Sequence, residues 1–99
     1  MALNLHVNTT ADGNGTALRT TDGNGGEVAT VVCWGGFGAG TLTLQMSPDA
    51  GVTWVGFAPA VTFTVAEAKA QVIPQGIVVR GVLTGATGPT LFCSIFGAD

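Results

Sequence analysis

Strict alternation of apolar and small polar residues is the feature that most constrains this chain. In Thr41-Leu42-Thr43-Leu44-Gln45-Met46 every second side chain is apolar, and Val61-Thr62-Phe63-Thr64-Val65 repeats the pattern. A period of two belongs to an extended strand, whose successive side chains leave on opposite faces, and β-branched threonine suits the outer one. Both segments are expected as half-buried antiparallel strands. Glu27–Trp34, Ile77–Leu83 and Leu91–Phe96 are apolar on both faces. They are expected as strands covered twice, by a second sheet and by a neighbouring subunit. With Leu3–Asn8 and Thr16–Thr20 there are about eight or nine short strands, at spacings of roughly 8–12 residues. That spacing predicts an all-β antiparallel sandwich of jelly-roll or Ig-like type. Val65–Gln71 ("VAEAKAQ") alone favours helix by composition. It is too short to form one unaided, so a loop with at most a helical turn is expected.

Glycine punctuates the alternation. The tetrapeptide DGNG occurs at Asp12–Gly15 and again at Asp22–Gly25. Asp-Gly and Asn-Gly favour the positive φ angles of type I′ hairpin turns, so two turns are expected around the strand Thr16–Thr20. The Asp and Asn oxygens resemble the opening of a calcium loop, but neither copy reaches a third ligand or a closing Glu. Residues 1–30 therefore read as a Gly/Thr-rich N-terminal arm or edge hairpin that orders against a partner, and residues 31–99 as the β-sandwich domain. "GGFGAG" (Gly35–Gly40) lacks the GKS or GKT and the following helix of a phosphate loop, and is expected as a wide inter-strand loop.

Charge narrows the function classes. Among 99 residues 46% are hydrophobic and 9% are charged, where ordinary soluble domains carry about 25%. Such a surface is expected to pack against copies of itself or a larger assembly, as obligate interfaces do. No run approaches the roughly 18 apolar residues of a membrane span. The start, "MALNLHVN", has no basic region of the kind that opens a secretory signal. The net charge is −3, and Arg19, Lys69 and Arg80 are scattered, which argues against nucleic acid as a partner.

Residues with reactive side chains are few. Cys33 and Cys93 lie in apolar runs and read as two buried free thiols or, as the lesser alternative, as a disulfide joining two strands. His6 is the single histidine, so zinc is not expected, and it reads as an outward or interfacial strand residue. Asp12, Asp22, Asp49, Glu67 and Asp99 read as turn or terminal residues, and Glu27 as the opening of a strand. No catalytic residue and no cofactor is expected.

The densest pattern is Ser47-Pro48-Asp49-Ala50-Gly51-Val52-Thr53-Trp54. Pro48 pre-sets φ for a turn, Asp49 is placed to accept from backbone N–H groups ahead of it, and Gly51 supplies φ > 0. Trp54 would then cap a sheet face. The octapeptide matches the Asp-box pattern S-x-D-x-G-x-T-W at Ser47, Asp49, Gly51, Thr53 and Trp54. That motif is known from sialidase propellers and unrelated β folds, where it marks an outer hairpin; the resemblance implies a structural turn. A single box and a 99-residue chain leave no room for repeated blades.

A wider stretch, Gly40–Phe96, is similar to small proteins of tailed bacteriophages. They share roughly G-x-(T/V)-x-L-Q-x-S-P-D-x-G-x-T-W, followed by L-P-x-G-x-x-R-x-x-L-x-G-A-T. Here the second part is Ile73-Pro74, Gly76, Arg80, Leu83 and Gly85-Ala86-Thr87, one residue longer before the arginine. The resemblance implies a structural virion protein, most of all a capsid decoration or cement protein. It would be a homotrimer stabilising the head shell, with the major capsid protein as partner and assembly in the host cytoplasm. A tail, neck or fibre component is the alternative within the virion. A carbohydrate-binding β-sandwich is the alternative outside it, with Trp34, Phe37, Trp54 and Phe57 as available rings. Trp34, Phe37, Phe57 and Arg80 are the candidate interface residues.

Overall fold

The computed structural model describes residues 2–19, 28–57, 60–73 and 76–96. The second DGNG turn, Glu27, Pro74 and Asp99 lie outside these residues. Nine strands follow one another: β1 (Ala2–Thr9), β2 (Leu18–Arg19), β3 (Val28–Gly36), β4 (Thr41–Ser47), β5 (Val55–Gly56), β6 (Thr62–Phe63), β7 (Glu67–Val72), β8 (Val78–Thr84) and β9 (Thr90–Phe96). They form two antiparallel sheets, one ordered β1-β9-β3-β7 and the other β2-β8-β4-β5, with β6 also on β4.

This order has a simple origin. β5 and β6 pair with β4 at different levels, Gln45–Met46 and Leu42–Thr43, so they share one lane. The chain then has eight lanes, and the outermost pairs nest: β1 with β9, β2 with β8, β3 with β7, β4 with β5 and β6. That is one long hairpin rolled on itself. Rolling adds two pairings, β9 with β3 and β8 with β4, which join the nested pairs into sheets. The fold is an antiparallel β-sandwich with jelly-roll strand order, closed by non-local pairing.

The core lies between the sheets. From the first sheet come Leu5, Ala29, Val31, Cys33, Leu91, Cys93 and Ile95; from the second, Leu42, Leu44, Phe63, Val79 and Leu83. The alternation in β4 holds from Thr41 to Gln45, where Leu42 and Leu44 are fully buried and Thr41, Thr43 and Gln45 half-exposed; beyond it Met46 is half-buried and Ser47 buried. Each buried leucine side chain contributes about 1.5–3 kcal/mol through burial.

Several expectations are corrected. Val65–Gln71, read as a loop with at most a helical turn, lies mostly in β7 (Glu67–Val72). This strand pairs with β3 over six register positions from Val28↔Val72 to Cys33↔Glu67. Lys69 donates to the Thr62 carbonyl and lies 5.0 Å from the Phe63 ring centroid, so tertiary pairing outweighs helix propensity. The first DGNG is not a hairpin turn, because β1 and β2 lie in different sheets. Instead Gly13 makes a two-way bridge with Leu83, and the Asp12 carboxylate accepts from the N–H groups of Gly85 (3.0 Å) and Ala86 (2.9 Å). Residues 2–9 are an edge strand of the first sheet and supply Leu5 to the core.

His6, expected at the surface or an interface, is buried at 3% exposure. A register shift between Asn4 and His6 sets Leu5 and His6 opposite Cys93. Between the Gly13–Leu83 bridge and the Leu18↔Val79 pair, β8 lacks a strand partner on that side. His6 fills this gap: Nε2–H donates to the Gly81 carbonyl (2.7 Å), and Nδ1 is hydrogen-bonded to the Thr9 hydroxyl (2.7 Å). One side chain thus ties the edge strand of one sheet to the backbone of the other. His6→Leu keeps the volume and removes the donor, leaving a buried carbonyl unpaired. A loss of about 1–3 kcal/mol is expected in urea unfolding.

Candidate functional site

The Asp-box segment is built around two side-chain oxygens. Ser47 ends β4 and is 1% exposed; its Oγ accepts from Gly51 N–H at 2.7 Å and donates to Asp49 Oδ1 at 2.8 Å. Asp49 Oδ1 also accepts from Thr53 N–H at 2.8 Å. The chain reverses through Ala50 (φ 61°) and Gly51 (φ 92°). For Gly51 this costs little, since it has no Cβ; for Ala50 it is strained, and the hydrogen bonds to Ser47 and Asp49 hold it. Strand re-entry comes at Val55, and Val52 is 81% exposed.

Trp54 does not enter the core. The Arg80 guanidinium carbon lies 4.1 Å from its ring centroid, and Arg80 Nε donates to Gln45 Oε1 at 2.9 Å. Arg80 and Gln45 are opposed across β8 and β4, both interior strands of the second sheet. Arg80 is therefore a half-buried clasp on the outer face, holding the Trp54 ring against β4. The solvated edge that a lone charge in an apolar strand suggests is not its position, because β8 is an interior strand. Around Arg80 the outer face carries Thr41, Thr43, Thr62 and Thr84, all half-buried or exposed, with the half-buried Val82 opposite Thr43.

The outer face of the first sheet is different. Residues that alternate with the buried Val31, Cys33, Cys93 and Ile95 point outward. They are Val32, Trp34, Phe92 and Phe96, with Ala68, Ala70 and Val72 alongside on β7. Trp34 stacks on Phe92, with centroids 5.4 Å apart and planes inclined by 8°. Trp34 remains 40% exposed, Phe96 45% and Val72 52%. Thr30, Ser94 and Asn4 complete the rows, with the Ser94 hydroxyl donating to Asn4 Oδ1 at 2.7 Å. None of the described side chains on this face is charged. The charges of β7, Glu67 and Lys69, alternate to the other side, 3.6 Å apart at the rim of the second sheet.

Of the candidate interface residues, the structure gives only Trp34 to this face. Phe37 and Phe57 are 7% exposed and belong to the core, and Arg80 lies on the opposite sheet. The signal for Phe92 and Phe96 was present in the alternation of β9, but the choice of outward parity needed the register with β3. The described residues contain no cavity and no group of three or more His, Cys, Asp or Glu side chains able to share a metal ion. No helix among them is long and apolar enough to cross a membrane. The Gly85-Ala86-Thr87 triplet has backbone duties: Gly85 and Ala86 donate to Asp12, and Thr87 N–H donates to the Gly38 carbonyl. No protein-family model, curated protein or solved structure matches the chain.

Two predictions follow the chemistry of the turn and the clasp. Hydrogen bonds from Thr53 N–H and then Ser47 hold the Asp49 carboxyl below its ordinary value of 3.8. A group lowered on folding stabilises fully above its unfolded value, and that contribution is lost as pH falls through the lower folded value. Wild type is expected to exceed Asp49→Ala in urea midpoint at neutral pH, with the gap narrowing steadily below pH 3.8. Arg80→Ala should cost about 0.5–2 kcal/mol and shift tryptophan emission to longer wavelength, because Trp54 loses its cover.

Proposed function

We propose that this chain is a structural virion protein of a tailed bacteriophage, a capsid decoration or cement protein that self-associates on the head shell. The observation that carries this reading is the uncharged, ring-bearing outer face of the β1-β9-β3-β7 sheet. Each copy carries a net charge of −3, so copies repel at long range wherever their acids face one another. On this face Trp34, Phe92, Phe96 and Val72 meet a second copy with no charge to desolvate, which is the pattern of an obligate contact. The scarcity of charge across the chain points the same way.

The similarity of Gly40–Phe96 to small tailed-phage proteins supplies the virion assignment. Jelly rolls serve in both viral capsid and lectin domains, so the fold by itself favours neither. The sugar-binding alternative predicts a planar row of exposed rings and detectable glycan binding. Of its candidate rings Phe37 and Phe57 are in the core and Trp54 is covered by Arg80, which leaves Trp34, stacked on Phe92, with Phe96 on the same face. A tail, neck or fibre position would use the same self-contact.

Light scattering on the purified protein should give a multiple of 9.9 kDa, with three copies expected. Trp34→Arg puts a charge into the face and should reduce the mass to that of one copy. Its melting temperature should change little on the monomer, since Trp34 is already 40% exposed. Wild type should co-sediment with undecorated phage shells, and Trp34→Arg should bind far less. A wild-type monomer that leaves the shells bare would overturn the proposal.

A further inference from the structure

We propose that Cys33 and Cys93 are a redox site, closing to a cross-strand disulfide at the centre of the β1-β9-β3-β7 sheet and reopening with small thiols. The two residues are direct partners in the β3–β9 register, and the ladder continues unbroken on both sides, through Val32↔Ser94 and Trp34↔Phe92. Both thiols are free, buried and turned inward, and the Cys33 thiol donates to Cys93 Sγ at 3.1 Å. Directly opposed residues of an antiparallel pair have Cα atoms about 4.5 or 5.5 Å apart, and disulfides accept about 4.4–6.8 Å. The sulfurs have only to approach from 3.1 Å to about 2.05 Å, by side-chain rotation with the backbone in place.

The oxidant class is a low-molecular-weight disulfide such as oxidised glutathione. One cysteine, as thiolate, attacks a sulfur of the reagent, breaks its S–S bond and releases one small thiolate, which takes up a proton. The second cysteine, as thiolate, then attacks the protein sulfur of the mixed disulfide and displaces the second small thiolate. The sum is protein dithiol plus disulfide giving protein disulfide plus two small thiols, with two electrons and two protons passed to the reagent.

Burial sets the pace of this exchange. Cys33 and Cys93 are at most 1% exposed, and the hydrogen bond to Cys93, followed by burial, holds the Cys33 proton far above the ordinary thiol range. The folded pair is therefore inert, and exchange runs through the transient opening of β3 from β9. A link formed during folding, or in an opened molecule, becomes locked under the closed sandwich. It joins residues 60 apart in sequence and constrains the unfolded chain accordingly.

The full chain is to be refolded from urea with oxidised and reduced glutathione, and also held folded with the oxidised form at increasing sub-denaturing urea. Refolded wild type should have a mass two hydrogens lower and no free thiol after denaturation. Its melting temperature should be about 10–20 °C higher, and dithiothreitol should reverse this. In the folded sample, the rate should rise with urea as opening becomes more frequent. Cys93→Ala should take one glutathione through Cys33 on opening and gain no thermal stability. Two free thiols after oxidative refolding, a product with two glutathiones, or disulfide-linked dimers would each overturn the proposal. These are readings of the wild type, so they decide the matter even if the variant does not fold.

Discussion

The pairing of β9 with β3 is the constraint on which the rest of the molecule depends. Without it the chain is a long hairpin whose nested pairs each expose an apolar face. With it, β1 and β7 become the two edges of one sheet, and Leu91, Cys93 and Ile95 face Leu42, Leu44 and Phe63 across the core. The pairing joins residues some 60 positions apart, so its loop-closure entropy must be met before the contacts stabilise anything. Close approach is built into it: Gly35 sits at φ 94°, and a Cβ there would lie 2.2 Å from the Thr90 carbonyl oxygen. Only glycine fits beside β9 at that point.

The two outer faces of the sandwich are chemically unlike, and this follows from the same strand order. The second sheet presents threonines, Val82, Gln45 and Arg80, with Arg80 donating to Gln45 and covering Trp54. The first presents Val32, the Trp34–Phe92 stack and Phe96. A chain with 9% charged residues cannot cover all its surface with charge. Exposed apolar side chains occur singly at Val7, Val52, Val55 and Val65, while the exposed rings Trp34 and Phe96 share the outer face of the first sheet with Val72.

Among the described residues the buried polar side chains are His6, Ser47 and Ser94, and each is hydrogen-bonded. Ser47 organises the turn after β4, Ser94 holds Asn4, and His6 fills the gap in the β8 ladder. Each satisfied group specifies a register or a crossing that apolar packing alone would leave loose, because a shifted register would bury an unpaired donor or acceptor. Asp12 does similar work at the surface, joining the loop after β1 to the loop after β8.

Local chemistry was enough to determine some of this from sequence. Alternation in Thr41–Met46 and Val61–Phe63 identifies strands and their inward sides, since side-chain direction along a strand depends only on parity, but the expected strand stops at Phe63 and Val65 is 59% exposed. The octapeptide Ser47–Trp54 identifies a turn, because Ser47, Asp49 and Gly51 act within eight residues of one another. The tertiary structure decided what depends on distant partners. Glu67–Val72 is a strand because β3 offers six pairing positions, which its own composition does not foretell. His6 is buried because a bulge turns it inward to pair with the Gly81 carbonyl, where β8 has no strand neighbour on that side. Phe37 and Phe57 went to the core while Phe92 and Phe96 went to the surface. Parity says that neighbours on a strand part company, but only the opposing sheet says which of them meets water.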